Sequence, residues 1–294
     1  MYSAWVPFCV GRRIVFGGLI VALAAGLGLS CKAKAVKTIK IMPLGDSITN
    51  GTGNQSGYRL RLYTELTSAG YSVNFVGALQ TNGCAALPDL DHEGHPGFNI
   101  DNIANGWSTV PGINTYLAPG VYDPDIILLM IGTNDVSEQR DYSHVGNRLN
   151  DLITRISNRT TGLQPNAHLI VATIPPRGNK PNDTDTQSYN SQLQTVVQQH
   201  ITAGENVTLV DMYNALNASD IADGVHPNQT GYNKIADVWF DGIQTVLAPE
   251  PASLGLIVCG AGMLLRRRGA SRYEARPIPR WRTRELRSVP NRDT

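Results

Sequence analysis

Short apolar runs and longer amphipathic segments alternate along the middle of the chain. Runs rich in Val and Ile predict strands buried on both faces: Thr38–Met42, Val73–Val76, Ile126–Ile131, Leu169–Thr173 and Val207–Val210. Segments with apolar residues three and four positions apart predict helices: Tyr58–Ala69, Val145–Ile156, Tyr189–Ile201 and Tyr232–Val246. Strands that alternate with helices predict a five-stranded parallel sheet of order 2-1-3-4-5, with helices on both faces.

Two stretches interrupt this alternation and are rich in Gly, Pro, Asn and Asp. They are Thr49–Gly57, after the first predicted strand, and Gln80–Asn99, after the second. In an open α/β sheet, the loops that follow the carboxyl ends of the strands carry the functional site. We therefore look for chemistry in these loops and in the residues that directly follow the other strands.

The first 35 residues have the pattern of an export signal. Arg12 and Arg13 precede the uncharged apolar run Ile14–Leu29, and Ala33-Lys34-Ala35 supplies a cleavage site. The apolar run has 16 residues, which is shorter than the roughly 20 residues of a membrane span. The pattern predicts cleavage after Ala35. Lipidation at Cys31, within Leu29-Ser30-Cys31, and a retained N-terminal anchor stay open as alternatives.

The C-terminal part carries a second targeting pattern. Pro249-Glu250-Pro251 is followed by the apolar stretch Ala252–Leu265 and then by Arg266-Arg267-Arg268. This order resembles a PEP-CTERM sorting signal, which implies exosortase-type processing and a cell-surface or extracellular location. The alternative is a plain C-terminal membrane anchor. We expect residues 249–268 to form the sorting segment, residues 269–294 a basic disordered tail, and residues 36–248 a single domain.

Charge and cysteine content narrow the class of this domain. The whole chain has a net charge of +1, but residues 36–248 contain 11 basic and 20 acidic residues, a net charge of −9. An acidic domain without a basic stripe argues against nucleic-acid binding. We expect membrane contact only through the terminal segments. Cys84 is the only cysteine in the domain, which excludes an internal disulfide.

Two motifs predict a nucleophile and its base. Ser47 lies in Pro43-Leu44-Gly45-Asp46-Ser47-Ile48-Thr49, directly after the first predicted strand. A serine hydroxyl needs a base to take its proton. Asp223 lies three residues before His226, just ahead of the last predicted helix. A carboxylate at this spacing orients and charge-stabilises the imidazole. Taken singly, each motif is also compatible with an ordinary turn.

Two further motifs predict donors for an oxyanion. Asn134, in Ile131-Gly132-Thr133-Asn134-Asp135, follows the most hydrophobic strand, and its amide is a hydrogen-bond donor. Gly97, in Gly94-His95-Pro96-Gly97-Phe98, offers a backbone N–H without a side chain in the way. Gly94 is close enough to compete for this role. A nucleophile, a base and an oxyanion hole together match the requirements of acyl transfer.

These four segments resemble the four sequence blocks of the SGNH (GDSL-type) hydrolases. The resemblance implies a three-layer flavodoxin-like SGNH fold, with Ser47 as nucleophile, Asp223 and His226 as the other triad members, and Ser47, Gly97 and Asn134 as oxyanion donors. Further segments are similar to the acetyl xylan esterases of carbohydrate esterase family 3: Gly57-Tyr58-Arg59, Phe75-Val76-Gly77, His92-Glu93-Gly94-His95, Ile174-Pro175-Pro176 and Asp211-Met212. Members of that family remove O-acetyl groups from polysaccharides without a metal or cofactor.

The sequence therefore predicts a secreted serine esterase that acts on an acetylated polysaccharide or a small ester. A lipid esterase or thioesterase with the same triad, an inactive carbohydrate-binding module and a structural matrix protein stay open as alternatives. The segment Asp91–His95 lacks the spacing of a helical zinc site and is interpreted as a hydrogen-bonded loop wall, so we expect no metal or cofactor. Arg59 is interpreted as structural, with substrate binding as the alternative. Trp107 and Trp239 are interpreted as core or packing residues, with a sugar-facing wall as the alternative for Trp107.

Overall fold

The computed structural model describes residues 37–157, 167–178 and 183–248. The predictions for residues 1–35 (the export signal), 249–268 (the sorting segment) and 269–294 (the tail) lie outside the described residues. The ranges that are described contain all of the predicted strands and helices. They also contain all of the candidate site residues.

The strands form one parallel sheet and one small hairpin. Strand bounds in the described residues are β1 (Ile39–Gly45), β2 (Val73–Phe75), β3 (Glu93–Gly94), β4 (Gly106–Trp107), β5 (Val110–Pro111), β6 (Ile126–Met130), β7 (His168–Ala172) and β8 (Val207–Val210). The parallel sheet has the order β2-β1-β6-β7-β8. This confirms the predicted order 2-1-3-4-5 and the doubly wound α/β architecture.

One strand of the sheet was not predicted. The two-residue strand β3 runs parallel to β1 and pairs with its carboxyl end, so that Leu44 pairs with Glu93 and Gly45 with Gly94. The amino end of β1 pairs with β2 instead, from Ile39 with Val73 onward. A two-residue strand has no sequence periodicity, so its pairing depends on the tertiary fold. Its consequence is that the Gly94–Gly97 loop begins beside the end of β1.

The helices pack in two sets around the sheet, as a three-layer fold requires. Their bounds are α1 (Ser47–Asn50), α2 (Arg59–Ser68), α3 (Ile100–Asn105), α4 (Ile113–Tyr116), α5 (Thr133–Glu138), α6 (Val145–Ser157), α7 (Thr184–Thr202), α8 (Met212–Ala215) and α9 (Gln229–Leu247). Short 3-10 turns cover Tyr142–His144 and Ala218–Asp220. Helix α2 packs against α9, whereas α6 packs against α3 and α7. None of the described helices has the length and apolar character needed to cross a bilayer.

The core is centred on β6, whose five residues are all buried. The edge strands are less buried than predicted, because Asn74 of β2 is exposed and most of β8 is only half-buried. An edge strand has a sheet neighbour on one side only, and this leaves part of its surface to helices and solvent. Helix α7 begins at Thr184, five residues before the predicted start at Tyr189, because its first turns are polar and lack the apolar periodicity used for the prediction.

Candidate active site

The candidate site lies where the carboxyl ends of three neighbouring strands meet. Gly45, the last residue of β1, pairs with Gly94 of β3 on one side and with Met130 of β6 on the other. The chain reaches Ser47 two residues after Gly45, Gly97 three residues after Gly94, and Asn134 four residues after Met130. The sheet therefore brings three of the predicted site residues to one edge, as the loops of an open α/β sheet should.

Ser47 begins the short helix α1 directly after β1. Asp46 caps this helix, because its Oδ1 accepts a hydrogen bond of 2.9 Å from the backbone N–H of Ile48. Ser47 itself is only 7% exposed. Its backbone N–H has no acceptor among the described residues, so this group is free to bind an oxygen atom of a ligand.

A chain of hydrogen bonds joins Ser47 to His226 and Asp223. Ser47 Oγ lies 2.9 Å from His226 Nε2, and His226 Nδ1 lies 2.8 Å from Asp223 Oδ2. Since an ionised carboxylate only accepts, the network assigns the ring proton to Nδ1, and Nε2 then accepts from the serine hydroxyl. This is the arrangement in which an imidazole can take the proton of a serine.

The turn that carries His226 is held by local hydrogen bonds. Asp223 Oδ1 accepts from the backbone N–H groups of His226 at 2.7 Å and of Val225 at 3.0 Å. Ala222 N donates to the carbonyl of His226 at 2.8 Å, and Ile221 bridges to Pro227. The turn is thus closed on itself, and its geometry does not depend on a buried strand.

Asp223 is an anion at neutral pH, although its side chain is 57% exposed. Its partial burial raises its pKa. The hydrogen bonds from the backbone and ring of His226 and from the backbone of Val225 outweigh that effect and lower the pKa from 3.8 to about 2. A fixed negative charge next to Nδ1 stabilises the imidazolium that forms when Nε2 takes a proton.

Helix α9 ties the histidine turn to the loop that follows Ser47. Tyr232 donates from its hydroxyl to the carbonyl of Thr52 at 2.7 Å, and Asn54 Nδ2 donates to Gln229 Oε1 at 2.7 Å. Both bonds span about 180 residues of sequence. They connect the Ser47 side of the site to the His226 side without using the hydrogen bonds among Ser47, His226 and Asp223.

The structure separates the two glycines that competed for one role. Gly94 is buried, and a Cβ at this position would lie 2.4 Å from the backbone nitrogen of Asn50. Gly97 is exposed, has a φ of +81°, and has open space where a Cβ would point. No described residue accepts a hydrogen bond from the Gly97 N–H. Gly94 is therefore required for packing, whereas Gly97 can present its N–H to a ligand.

Asn134 and its neighbour Asp135 clamp the chain that follows Gly97. Asn134 Nδ2 donates to the carbonyl of Phe98 at 2.7 Å, and Asp135 Oδ2 accepts from the backbone N–H of Ile100 at 3.1 Å. The other oxygen of the buried Asp135 accepts from Arg148 at 2.6 Å. One amide hydrogen of Asn134 thus positions the Gly97 loop, and the second is left for a ligand.

Sequence reasoning missed several groups that hold the site. They include Asp135, discussed above, and a buried pair in which His95 Nε2 lies 2.8 Å from Glu93 Oε2. The ring of His95 stacks on Phe98 with a centroid distance of 4.6 Å. The sequence placed Glu93 and His95 in a hydrogen-bonded loop wall but did not pair them with each other. It contained no signal for their partners.

The segment Asp91–His95 behaves as a hydrogen-bonded wall. His92 Nδ1 accepts from the backbone N–H of Gly94, and Nε2 lies 3.0 Å from the carbonyl of Thr81. Burial lowers the pKa of His92 to about 3, so its ring is neutral. Within the described ranges, no group of three or more His, Cys, Asp or Glu side chains is arranged to hold a metal ion.

The structure also shows the burial of three other residues named in the sequence analysis. Arg59 is fully buried and donates to the backbone carbonyls of Leu90, Asn50 and Thr81, which confirms a structural role. Trp239 is fully buried in the core, as predicted. The interpretation of Trp107 as a core residue is wrong, because 61% of its surface is exposed. It lies on a hairpin, where the position of the loop and not the residue type decides burial.

Comparisons with known proteins agree with this geometry. The model of the GDSL-like Lipase/Acylhydrolase family matches residues 41–239. A multidomain esterase from Ruminococcus flavefaciens is 35% identical in an alignment of 233 residues that covers 73% of this chain and 30% of that protein. The chain therefore spans less than a third of the length of this relative.

Solved structures of carbohydrate esterases are also similar. A family 3 carbohydrate esterase from Clostridium thermocellum is 36% identical, with a TM-score of 0.61, over 72% of this chain and 100% of that chain. One from Talaromyces cellulolyticus is 29% identical, with a TM-score of 0.57, over 72% and 100% of the two chains. Because the family model covers more than half of the sequence, the chain belongs to the GDSL-like lipase/acylhydrolase family.

Proposed function

We propose that this protein is a serine esterase that removes O-acetyl groups from a xylan-like polysaccharide through an acyl-enzyme. The observation that carries the proposal is the hydrogen-bond chain from Ser47 Oγ through His226 to Asp223, with bonds of 2.9 and 2.8 Å. It lies at the same sheet edge as the N–H groups of Ser47 and Gly97, which have no acceptor in the part of the chain that the structure describes. Such an arrangement supports acyl transfer by a nucleophile, a base and an oxyanion hole.

In the first half of the reaction, Ser47 Oγ attacks the acetyl carbonyl while His226 Nε2 takes the hydroxyl proton. Asp223 keeps the other ring nitrogen protonated and stabilises the imidazolium. The carbonyl oxygen becomes an oxyanion that accepts hydrogen bonds from the N–H groups of Ser47 and Gly97 and from the Asn134 amide. When the tetrahedral intermediate collapses, the sugar hydroxyl leaves with the proton from His226.

The second half repeats these steps with water. His226 takes a proton from a water molecule, which attacks the acetyl-serine carbonyl, and the same three donors bind the new oxyanion. Collapse of this intermediate breaks the bond to Ser47 Oγ, which regains its proton from His226. The products are acetate and the deacetylated sugar, and no group outside the chain is consumed except water.

Similarity to carbohydrate esterases supports the substrate class. The family 3 carbohydrate esterases named above align over their entire lengths with this chain. The net charge of −9 on residues 36–248 is compatible with a neutral polysaccharide and unfavourable for an anionic polymer. The lipase alternative shares the same hydrogen-bond chain and differs only in the acyl group.

The direct test is acetate release from acetylated xylan by the full chain and by a Ser47→Ala variant. We expect release by the wild type and none above background by the variant, with equal thermal unfolding midpoints as the control for folding. If both proteins release no acetate and cleave no p-nitrophenyl acetate, the esterase proposal is wrong. The carbohydrate-binding alternative would then become the leading interpretation.

A series of p-nitrophenyl esters tests the acyl group separately. A preference for the acetyl ester over chains of eight carbons or more would support deacetylation. The opposite preference, with the Ser47→Ala variant still inactive, would support the same mechanism and indicate a lipid or thioester substrate.

We further propose that the protein acts outside the cell. This rests on the two terminal sequence patterns, namely Arg12 to Ala35 and the Pro249-Glu250-Pro251 segment with its apolar and basic continuation. The mass of the mature protein, isolated from its native host, tests both processing steps. A mass equal to that of all 294 residues would contradict the proposal.

A further inference from the structure

Trp107 is the most exposed of the large apolar side chains in the described residues. Its exposed fraction is 61%, and the next is Val121 at 50%. Single exposed apolar residues are common on protein surfaces, so exposure by itself does not mark a site. The case for Trp107 depends on how the residue is mounted and on what lies beside it.

The hairpin of β4 and β5 holds the backbone of Trp107 firmly. Trp107 pairs with Val110 across two turn residues. At the base of the hairpin, Gly106 has a φ of +86°, and a Cβ there would lie 2.5 Å from the carbonyl oxygen of Val110. Arg155 donates to the carbonyl of Ala104 at 3.1 Å just before the hairpin. A side chain on such a support is pre-positioned, which lowers the entropy cost of binding a ligand.

A row of rings connects the indole to the interior. Trp107 meets Phe98 edge to face, with a centroid distance of 6.0 Å and an interplanar angle of 78°. Phe98 is buried and stacks on His95, which is hydrogen-bonded to the buried Glu93. The contact with Phe98 orients the indole but leaves most of its surface open to solvent.

The same Phe98 belongs to the candidate oxyanion loop. It directly follows Gly97, and its carbonyl accepts the hydrogen bond from Asn134 Nδ2 at 2.7 Å. The exposed indole is therefore separated from Gly97 and Asn134 by a single residue. The indole and the two donors thus contact or adjoin the same residue, Phe98.

The surroundings of Trp107 favour a neutral ligand. The sequence contains no Lys or Arg between Arg61 and Arg140. The arginines that reach this region from α6 are engaged with carboxylates, Arg148 with Asp101 and Asp135 and Arg155 with Asp151. Among the described arginines of α6, an anionic polymer therefore finds no uncommitted cation.

The turn residues of the hairpin place hydroxyl groups close to Trp107 in the sequence. Ser108 and Thr109, which connect the two strands of the hairpin, are exposed and carry hydroxyl groups. A pyranose ring presents aliphatic C–H groups on its faces and hydroxyls at its edge. The indole can cover such a face and remove both apolar surfaces from water, while the hydroxyls of the turn can exchange hydrogen bonds with the edge.

We infer that Trp107 is the stacking platform for a sugar unit of the polysaccharide, next to the unit whose acetyl group is attacked by Ser47. This inference rests on the proposed function and adds a binding subsite to it. Trp107 contributes to binding of the saccharide and takes no part in the acyl transfer. Its loss should therefore affect a saccharide ester more than an ester without a sugar.

The first test compares two substrates in the full chain. For Trp107→Ala, we expect the ratio of kcat/KM on acetylated xylotetraose to kcat/KM on p-nitrophenyl acetate to fall roughly three- to tenfold, the size of one aromatic stacking contact. Trp107→Tyr should retain part of the ratio, since it keeps a flat ring. Val121→Ala, which shortens the other large exposed apolar side chain of the described residues, should leave the ratio at the wild-type value. An unchanged ratio in Trp107→Ala would overturn the inference. If both substrates lost activity equally, Trp107 would be assigned to support of Phe98; if neither lost activity, Trp107 would have no role in binding.

The second test does not require turnover. Binding of unacetylated xylotetraose is measured by calorimetry with Ser47→Ala and with Ser47→Ala/Trp107→Ala. We expect binding that weakens roughly three- to tenfold when the indole is removed. Absence of binding by Ser47→Ala, or equal binding by the two variants, would refute the platform. If removal of the indole weakens binding but the wild-type protein hydrolyses no ester, the platform stands and only the proposed esterase function is refuted.

Discussion

The nucleophile turn, residues 45–51, and the histidine turn, residues 220–228, meet at one hydrogen bond but are built in different ways. Ser47 follows a strand that is paired on both sides and is itself only 7% exposed. The Asp223 side chain is 57% exposed, and its turn is closed by its own backbone bonds. The buried sheet positions the nucleophile, whereas a local network positions the base.

This difference determines how each side should respond to substitution. On the nucleophile side, a change in volume disturbs buried neighbours, so effects on activity and on stability are coupled. On the histidine side, a change in charge acts largely through hydrogen bonds near solvent, where stability effects are small. The predictions below separate these two responses.

The largest effect should come from breaking the contact between the two turns. We expect Ser47→Ala and His226→Ala each to lower kcat on p-nitrophenyl acetate by roughly 10⁴- to 10⁶-fold, since each removes one member of a unit. The kcat of the double variant should be no lower than that of the less active single variant. Losses that multiply would show that the two residues act independently and would contradict the proposed proton transfer.

Asn134→Ala tests the nucleophile side without touching the proton relay. Loss of one oxyanion donor should lower kcat by roughly 10²- to 10³-fold, with a smaller effect on KM. A decrease below about threefold would count against this role. Because Asn134 also holds Phe98, Asp135→Asn serves as the control that weakens the same clamp while leaving the amide donor in place. Its effect on kcat should stay within about tenfold.

Gly94→Ala and Gly97→Ala measure how unequally one loop tolerates a methyl group. At Gly94 the added Cβ meets backbone atoms of Thr49 and Asn50, so we expect the free energy of unfolding to fall by about 3 kcal/mol. At Gly97 the space is open and only the positive φ is unfavourable, which costs about 1–2 kcal/mol. Urea unfolding distinguishes the two. Equal losses would contradict the assignment of Gly94 to packing and Gly97 to ligand contact.

Much of the nucleophile side could be predicted from the sequence. The apolar runs located β1 and β6, and the motifs that follow them placed Ser47 and Asn134 at the sheet edge. Hydrophobic periodicity reports burial, and burial is what builds this side. The choice between Gly94 and Gly97 could not be made, because it depends on which of them touches Asn50 across the fold.

The sequence did not predict the contacts that connect different secondary-structure elements. The short strand β3, the Glu93–His95 pair and the bond from Tyr232 to Thr52 depend on contacts between distant segments. Trp107 shows the same limit, because an aromatic residue in a loop can be buried or exposed according to where the loop lies. The catalytic roles of Ser47, Asp223 and His226 stay predictions until activity is measured.

The sharpest contrast between the turns should come from their carboxylates, and the smallest single effect from Asp223. Burial raises the pKa of Asp46 from 3.8 to about 6, whereas hydrogen bonds lower the pKa of Asp223 to about 2 against the opposing effect of burial. Between pH 4 and 6, folded Asp46 binds more protons than it does in the unfolded chain, so its contribution to stability falls as the pH rises. Asp223 binds fewer protons when folded, so its contribution is present above about pH 4 and is lost as the pH falls toward 2.

Asp46→Asn should therefore gain stability relative to the wild type as the pH rises from 4 to 7, by about 2–3 kcal/mol for a pKa difference of two units. An Asn side chain can still accept the bond from Ile48 N, which keeps the helix cap. Asp223→Asn should show the opposite sign. At neutral pH its free energy of unfolding should be lower than that of the wild type, by less than about 1 kcal/mol because the group is exposed. That deficit should vanish near pH 2. Urea midpoints measured across this pH range check both signs, and parallel curves for the two variants would mean that the environments of the two carboxylates do not differ as their burial indicates.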